Sequence, residues 1–231
     1  MPITALAREI RQALDDAADP VLRQKYQRLV PGARVLGVSV PALRELAART
    51  KKAYPELALN DTADLLDVYA KTPIREEMLV GIFLLARFGR HVEALPWKRL
   101  ERWSASLDNW ETCDQLAANI AARIVHAHAE HVPALLKLAK AKDPWVRRFA
   151  LATSADLTHK GRGNATVAFD VCRQLLNDES PMIQTAIAWA LREASKADPD
   201  ATQAFLERHG ARMRPRTLKE ASAKLPRPRI A

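Results

Sequence analysis

Apolar residues recur at helical spacing along most of the chain. Leu6, Ile10 and Leu14 stand four residues apart, and a strongly apolar run follows between residues 79 and 88. Such spacing places the apolar side chains on one face of a helix. No convincing run of alternating apolar and polar residues suggests a strand. The pattern predicts an all-α protein.

Five of the predicted helices begin with the same short motif. A Ser, Thr or Asp side chain can accept hydrogen bonds from the free N–H groups of a first turn, and proline at the first helical position loses no hydrogen bond. The motif occurs at Asp19-Pro20, Thr72-Pro73, Asp143-Pro144, Ser180-Pro181 and Asp198-Pro199. We expect a helix to begin at each of these pairs.

Some of the helix starts are periodic. Thr72, Asp108, Asp143 and Ser180 are 36, 35 and 37 residues apart, and Ser39 lies 33 residues before Thr72. Each start opens an apolar helix that a shorter helix follows. A period in the thirties with two helices per unit is typical of a curved α-solenoid of HEAT-like repeats. The alternative is an irregular helical bundle in which the spacing is accidental.

The C-terminal segment differs from the rest in composition. From Arg208 to Ala231 the chain has eight Lys or Arg residues and one acidic residue, Glu220. We therefore predict a single repeat domain over residues 1–210 and a basic C-terminal cap or tail over residues 211–231. A capping helix followed by a partly disordered tail fits this composition.

Charge and cysteine content narrow the possible partners. The net charge of +9 indicates a polyanion such as nucleic acid as the partner, although a solvated basic surface is the alternative.

The sequence offers no metal site. The two cysteines lack a CxxC spacing, and His126, His128 and His131 would not face one point on a helix, so we expect no bound metal. No glycine-rich phosphate loop, signal peptide or membrane span is evident, which favours the cytoplasm and no membrane contact.

Five polar or aromatic residues share one face of the predicted inner helices. With about 100° of rotation per residue from each helix start, they fall within one sector of about 120°. The buried apolar stripe, which includes Val146, Ala150, Ile183 and Ile187, projects elsewhere. The five residues are Trp110, Asp114, Arg148, Trp189 and Arg192.

This combination suggests DNA chemistry. Arginine binds phosphate, and exposed tryptophan rings attract cationic groups. A carboxylate such as Asp114 would repel phosphate, so its presence favours a role in stabilising positive charge or activating water. The alternatives are packing tryptophans, an ion pair between Asp114 and an arginine of the next repeat, and plain surface arginines.

Several segments resemble the AlkD family of DNA alkylation repair glycosylases. The match runs from about Tyr26 to Asp200, which is most of the chain. They are RVLGVSVPALRELA (34–47), TPIREE (72–77), NWETCDQLAANI (109–120), DPWVRRFAL (143–151) and SPMIQTAIAWALREASKADPD (180–200).

The resemblance implies a fold, an activity and a set of site residues. The fold is a curved stack of HEAT-like repeats, and the activity is hydrolytic removal of N3- and N7-alkylated purines from duplex DNA without a base-flipping pocket. The catalytic aspartate would be Asp114, the two DNA-facing tryptophans Trp110 and Trp189, and the phosphate contacts Arg148 and Arg192.

Two positions depart from the family pattern. Asn109 stands where the family commonly has a second aromatic residue, and a family lysine that supports the backbone contact after Arg148 has no clear counterpart near Asp156. We nevertheless predict a monofunctional alkylpurine-DNA glycosylase. It would act without a cofactor, as a cytoplasmic, nucleoid-associated monomer on double-stranded DNA containing alkylated bases. The rival hypotheses are a non-catalytic binder of damaged or branched DNA with the same fold, and a HEAT-type protein-interaction scaffold.

Overall fold

The structure, a computed structural model, describes residues 2–159 and 163–225. Within these ranges all regular secondary structure is helical, and fourteen α-helices alternate with short 3₁₀ turns and one π-helical segment. The predicted all-α class is confirmed. The chain divides into two compact units, residues 1–124 and residues 125–231.

The first unit holds the N-terminal helices, and the last of them continues into the second unit. In chain order they are α1 (Ile3–Asp16), α2 (Pro20–Leu29), α3 (Val40–Ala53), α4 (Leu59–Tyr69), α5 (Arg75–Ala86), α6 (Trp97–Ser104), α7 (Trp110–Leu116) and α8 (Ala122–Ala127). A π-helical segment, Ala117–Ala121, joins α7 to α8.

Helix α5 is the centre of the first unit. It packs against α1, α3, α4 and α7, and its side chains are buried around the whole helix rather than along one stripe. A helix that is apolar on all sides requires neighbours on all sides. The exceptions to its apolar character are three buried charged residues at its start, Arg75, Glu76 and Glu77.

Six α-helices lie wholly within the described part of the second unit. They are α9 (Val132–Leu138), α10 (Pro144–Asp156), α11 (Ala165–Leu175), α12 (Pro181–Ala197), α13 (Pro199–His209) and α14 (Pro215–Ala221).

Helices α10 and α12 form the core of this second unit. They pack against each other, α11 contacts both of them, and α12 also carries α13 and α14. The predicted apolar stripe is confirmed, because Val146, Ala150, Ile183 and Ile187 are all buried. The order of packing follows the order of the chain, as expected for stacked helical repeats.

The local signals for helix starts are confirmed at most of the predicted positions. Asp19, Ser39, Asp143 and Asp198 each accept hydrogen bonds from first-turn backbone N–H groups of the helix that follows. Ser180 also precedes its helix, but its side chain makes no capping bond.

Two predicted starts are displaced. Helix α5 begins at Arg75 rather than after Thr72, because the backbone N–H of Arg75 donates to the carbonyl oxygen of Arg34 and Ile74 is extended. Helix α7 begins after Asn109 rather than Asp108. The Asn109 side chain caps the first turn, and Asp108 accepts a hydrogen bond from the Asn109 amide.

The C-terminal segment contains α14, which packs on α12 within the second unit. In α14, the Thr217 hydroxyl donates to the buried Gln184 side chain of α12 at 2.8 Å. Residues 226–231 of the predicted tail lie outside the described residues, and the division into a domain over 1–210 and a tail over 211–231 stays a prediction. Among the described helices, none is long and apolar enough to cross a membrane.

Candidate functional site

Asn109 fixes the start of α7. Its side-chain oxygen accepts hydrogen bonds from the N–H groups of Glu111 and Thr112, at 3.1 and 3.0 Å. Its side chain is buried, and its backbone is extended as a capping residue requires. Asparagine at this position therefore caps the helix through a side-chain amide oxygen, a group that an aromatic side chain lacks.

Trp110 is the first residue of α7 and presents ring surface to solvent. The residue is 41% exposed, which is unusual for so large a hydrophobic side chain. Its indole Nε1–H donates to the carbonyl oxygen of Leu29 at 3.0 Å, at the end of α2. The ring is thus both exposed and oriented.

Asp114 lies one turn after Trp110 on the same helix and is half-buried. Residues four apart on an α-helix share a face, so the carboxylate and the indole ring are neighbours on α7. The π-helical segment Ala117–Ala121 begins three residues later. Such segments are rare and occur frequently at functional sites.

A short polar chain continues the surface beyond Asp114. The Arg44 guanidinium lies 4.1 Å above the Phe83 ring and donates to the Gln115 side-chain oxygen. Asn119 donates to the same oxygen from the π-helical segment. These contacts leave an arginine held in place beside the carboxylate-bearing turn of α7.

In the second unit, the other three predicted site residues lie on its two central helices. Trp189 and Arg192 are half-buried on α12, and Arg148 on α10 is only 9% exposed. Trp189 and Arg192 therefore reach the surface of this unit, while little of Arg148 does. The roles of Trp110, Asp114, Arg148, Trp189 and Arg192 in catalysis and DNA binding stay predictions.

An ion network lies around Asp156, where the sequence has no clear counterpart of the family lysine. The two ring nitrogens of His159 face the carboxylates of Asp156 and Glu193, at 3.4 and 2.5 Å, and Lys196 donates to Glu193 at 2.6 Å. Burial works against ionisation of Glu193, but the bonds from Lys196 and His159 outweigh it and lower the pKa of its carboxyl group.

A buried ion network supports α7, and no sequence signal for capping or periodicity indicated it. Arg75, whose side chain is fully buried, donates from Nε to Glu111 at 2.5 Å and from Nη1 to Glu76 at 2.9 Å. Burial alone would lower the pKa of the Arg75 guanidinium, but the two carboxylates outweigh burial and raise it. The adjacent charges in REE (75–77) could have marked these residues, since charged residues are seldom found within an apolar helix.

The comparisons with known proteins agree with this architecture. A model of the family described as DNA alkylation repair enzyme matches residues 10–225. The chain belongs to this family. Membership in the DNA alkylation repair enzyme family, together with the fold, indicates a DNA alkylation repair protein, and it confirms the resemblance on which the sequence predictions relied. It also suggests DNA as the partner.

Solved structures show the same fold. A predicted DNA alkylation repair enzyme from Enterococcus faecalis superposes with a TM-score of 0.75 at 20% identity, over 91% of this chain and 97% of the other. The smu.31 protein from Streptococcus mutans UA159 gives a TM-score of 0.54 at 17% identity, over 80% of this chain and all of the other. A search of curated proteins finds no match. At these identities the likeness concerns the fold alone.

Proposed function

We propose that this protein is a DNA glycosylase that hydrolyses the N-glycosidic bond of positively charged N3- and N7-alkylated purines in duplex DNA. The observation that supports this most is the pairing on α7 of an exposed indole ring, Trp110, with a carboxylate one turn away, Asp114. This pairing presents negative charge and a π face together.

The chemistry needs such a pair. Alkylation at N3 or N7 gives the purine a positive charge and makes it a good leaving group. As the glycosidic bond lengthens, positive charge develops on the deoxyribose. Asp114 would stabilise that charge and position the attacking water, and the Trp110 ring face would add a cation–π contribution.

Positive charge near α7 supports duplex binding. Between Asp19 and Glu45 the chain has no acidic residue. The same stretch has five exposed cationic side chains, Arg23, Lys25, Arg28, Arg34 and Arg44. They lie on α2, on the loop after it and on α3, and Leu29 at the end of α2 touches Trp110. Phosphate contacts from this stretch would bring the duplex to the indole ring.

In the second unit, Trp189 and Arg192 on α12 offer the same two kinds of contact. Arg192 would bind phosphate through its guanidinium, and the Trp189 ring would approach the sugar or the lesion. Arg148, with little exposed surface, would contribute through the end of its guanidinium.

Base release from a duplex with a single N7-methylguanine tests the proposal. Under single-turnover conditions the wild-type protein should release the base, and Asp114→Asn should lower the rate by about a hundredfold or more, because a preorganised charge is lost. Asp16→Asn is the matched control, because Asp16 is exposed at the end of α1. Among the described residues, only Gln12 donates a hydrogen bond to its carboxylate. It should retain the wild-type rate.

Binding to the same duplex separates the rival functions. Asp114→Asn should bind intact duplex at least as well as wild type, because a repulsion of phosphate is removed. Tight, salt-sensitive binding without base release by the wild type would indicate a non-catalytic DNA binder. Absence of any salt-sensitive DNA affinity would favour a protein-interaction scaffold.

A further inference from the structure

Arg75 lies where three separate segments of the first unit meet. Its guanidinium stacks 3.7 Å from the centre of the Tyr26 ring on α2. Its Nε donates to Glu111 on α7, and its Nη1 donates to the carbonyl oxygen of Val38 at 3.2 Å. One fully buried side chain on α5 thus contacts α2, the loop after it, and α7.

Glu76 also binds the loop that follows α2. Its carboxylate accepts hydrogen bonds from three consecutive backbone N–H groups, those of Leu36, Gly37 and Val38, at 2.9, 3.0 and 3.4 Å. The loop in turn fixes the start of α2, where the N–H of Asp19 donates to the carbonyl oxygen of Gly37. The loop and α2 are therefore placed relative to α5 by directional polar contacts.

Helix α7 depends on such contacts for its position. Its C-terminal end is fixed by the π-helical segment Ala117–Ala121 that joins it to α8, whereas its first turn is a helix terminus and is placed by contacts from outside the helix. Glu111 sits in its first turn, next to Trp110, and its side chain is 13% exposed. The bond from Arg75 thus acts on the turn that carries the indole ring.

The buried ion network of Arg75, Glu76 and Glu111 is not explained by stability alone. Burying a guanidinium and carboxylates removes their hydration, and a buried ion pair often contributes no net stability. Arg75 Nη2 is also buried without a hydrogen-bond partner among the described residues, which adds a penalty. Apolar side chains at positions 75, 76 and 111 together would avoid both costs. They would not fix the direction of α7, because apolar contacts are not directional, whereas the hydrogen bonds of a planar guanidinium are.

We propose that Arg75 and Glu111 are positioning residues whose ion pair fixes α7 against α2, so that Trp110 stays bonded to Leu29 and Asp114 keeps its orientation. The role of Asp114 rests on the proposed glycosylase function. The placement of Trp110 does not rest on that function, because the hydrogen bond from its indole N–H to Leu29 can be observed without any measurement of base release. A change at Glu111 should therefore alter the environment of an indole that Glu111 itself does not bond.

The experiment measures the indole Nε1–H signal of Trp110 by ¹⁵N NMR in the full chain, assigned with Trp110→Phe. Glu111→Gln keeps the side-chain shape and removes the charge. It should shift the Trp110 signal, speed its exchange with water, and lower single-turnover base release by about tenfold to a hundredfold while DNA affinity is retained. An unchanged Trp110 signal in a folded Glu111→Gln protein would overturn the proposal.

The matched control is Asp67→Asn. Asp67 is also a carboxylate of the first unit that accepts from an arginine, Arg99, at 2.6 Å, and from an indole, that of Trp103, at 2.7 Å. It lies on α4, and its contacts are to α6. The control should lower stability and leave both the Trp110 signal and the rate per folded molecule unchanged. If Asp67→Asn changes the Trp110 signal and the rate as much as Glu111→Gln does, the effect comes from a general loss of stability and the proposal is wrong.

A second variant, Tyr26→Leu, tests the proposal if Glu111→Gln does not fold. Tyr26→Leu removes the ring beneath Arg75 without changing any charge, and it should shift the Trp110 signal in the same direction. No shift would overturn the proposal. If the wild-type protein releases no base, the glycosylase function fails, while the indole measurements still decide whether Arg75 and Glu111 position α7.

Discussion

The indole Nε1–H of Trp110 donates to the carbonyl oxygen of Leu29 at 3.0 Å, across 81 residues of sequence. Leu29 is the last residue of α2, whose final carbonyl groups have no partner within the helix. The bond therefore satisfies a helix end and orients an exposed ring at once. Leu29 itself is 48% exposed, so an apolar surface continues from the ring onto α2.

Two substitutions of Trp110 distinguish the contribution of its aromatic ring from that of its indole N–H group. Trp110→Phe should cost about 1 kcal/mol of stability or less, the usual contribution of one exposed hydrogen bond, and it keeps an aromatic face. Trp110→Leu removes that face as well and should lower base release further, by about tenfold, because cation–π stabilisation is lost. Urea denaturation and single-turnover kinetics measure the two effects. Equal base release by the Phe and Leu variants would show that the ring face has no part in catalysis.

The salt dependence of DNA affinity tests the phosphate contact predicted for Arg192. Each neutralised phosphate contributes about 0.9 to the slope of log K against log salt concentration, so Arg192→Gln should flatten that slope by about this amount. Arg173→Gln is the control, because it makes the same charge change on α11, where Arg173 pairs with Asp170 at 2.7 Å. Equal slopes for the two variants would mean that only net charge matters at position 192.

Gly37 is required by close packing of the loop against α2. Its φ is +100°, and a Cβ there would lie 2.3 Å from the carbonyl oxygen of Asp19 and 2.7 Å from the backbone nitrogen of Arg23. Since both are backbone atoms, Gly37→Ala must displace the start of α2. We expect a loss of about 3 kcal/mol or more, from the unfavourable φ together with the clash.

Gly32 provides the control for the backbone angle. Its φ is +97°, and a Cβ there meets nothing within 4 Å. Gly32→Ala should therefore cost only the strain of the angle, about 1–2 kcal/mol. Denaturant unfolding of both variants gives the difference. If the two lose the same stability, the close contact with α2 is not what requires glycine at position 37.

The lowered pKa of Glu193 makes part of the stability depend on pH. Because the folded state favours the charged carboxylate, its contribution is complete above the ordinary value of 4.5 and is lost as pH falls through the lowered folded value. The groups facing it are His159 and Lys196, with Asp156 on the other side of the His159 ring. Glu193→Gln should lose about 1–3 kcal/mol at pH 7 and less in acid.

Glu207→Gln is the corresponding control. Glu207 is exposed on α13 and accepts a bond from Gln203. The free energy of unfolding of this variant should match that of the wild type at each pH measured, because an exposed side-chain contact contributes little to stability. The measurement is urea unfolding at several pH values down to the acid limit of folding. A Glu193→Gln curve parallel to wild type throughout would contradict the role of the carboxylate charge.

Much of the helical architecture could be predicted from the sequence because it depends on nearby residues. Leu6, Ile10 and Leu14 are the buried residues of α1, as their spacing indicates. Asp143 caps α10 through a bond to a residue only two positions away. Helix periodicity and capping act within a turn or two, so the chain itself contains the information.

The start of α5 shows where local signals are insufficient. Thr72-Pro73 has the form of a helix start, yet the helix begins at Arg75, whose backbone N–H bonds to Arg34. That partner is brought close by packing of the loop after α2. A capping motif competes with tertiary hydrogen bonds, and in this case the tertiary bond decides where the helix begins.

The sequence by itself determined that the chain is all-helical, where α2, α3, α10, α12 and α13 begin, and that Trp110 and Asp114 share a face of one helix. The tertiary structure alone decided that Arg75 meets Glu111 across 36 residues and that the Trp110 ring is held by Leu29. The physical reason is range. Periodicity and caps are set by residues a turn apart, whereas a buried ion pair forms only when packed helices bring distant charges together and exclude water from them.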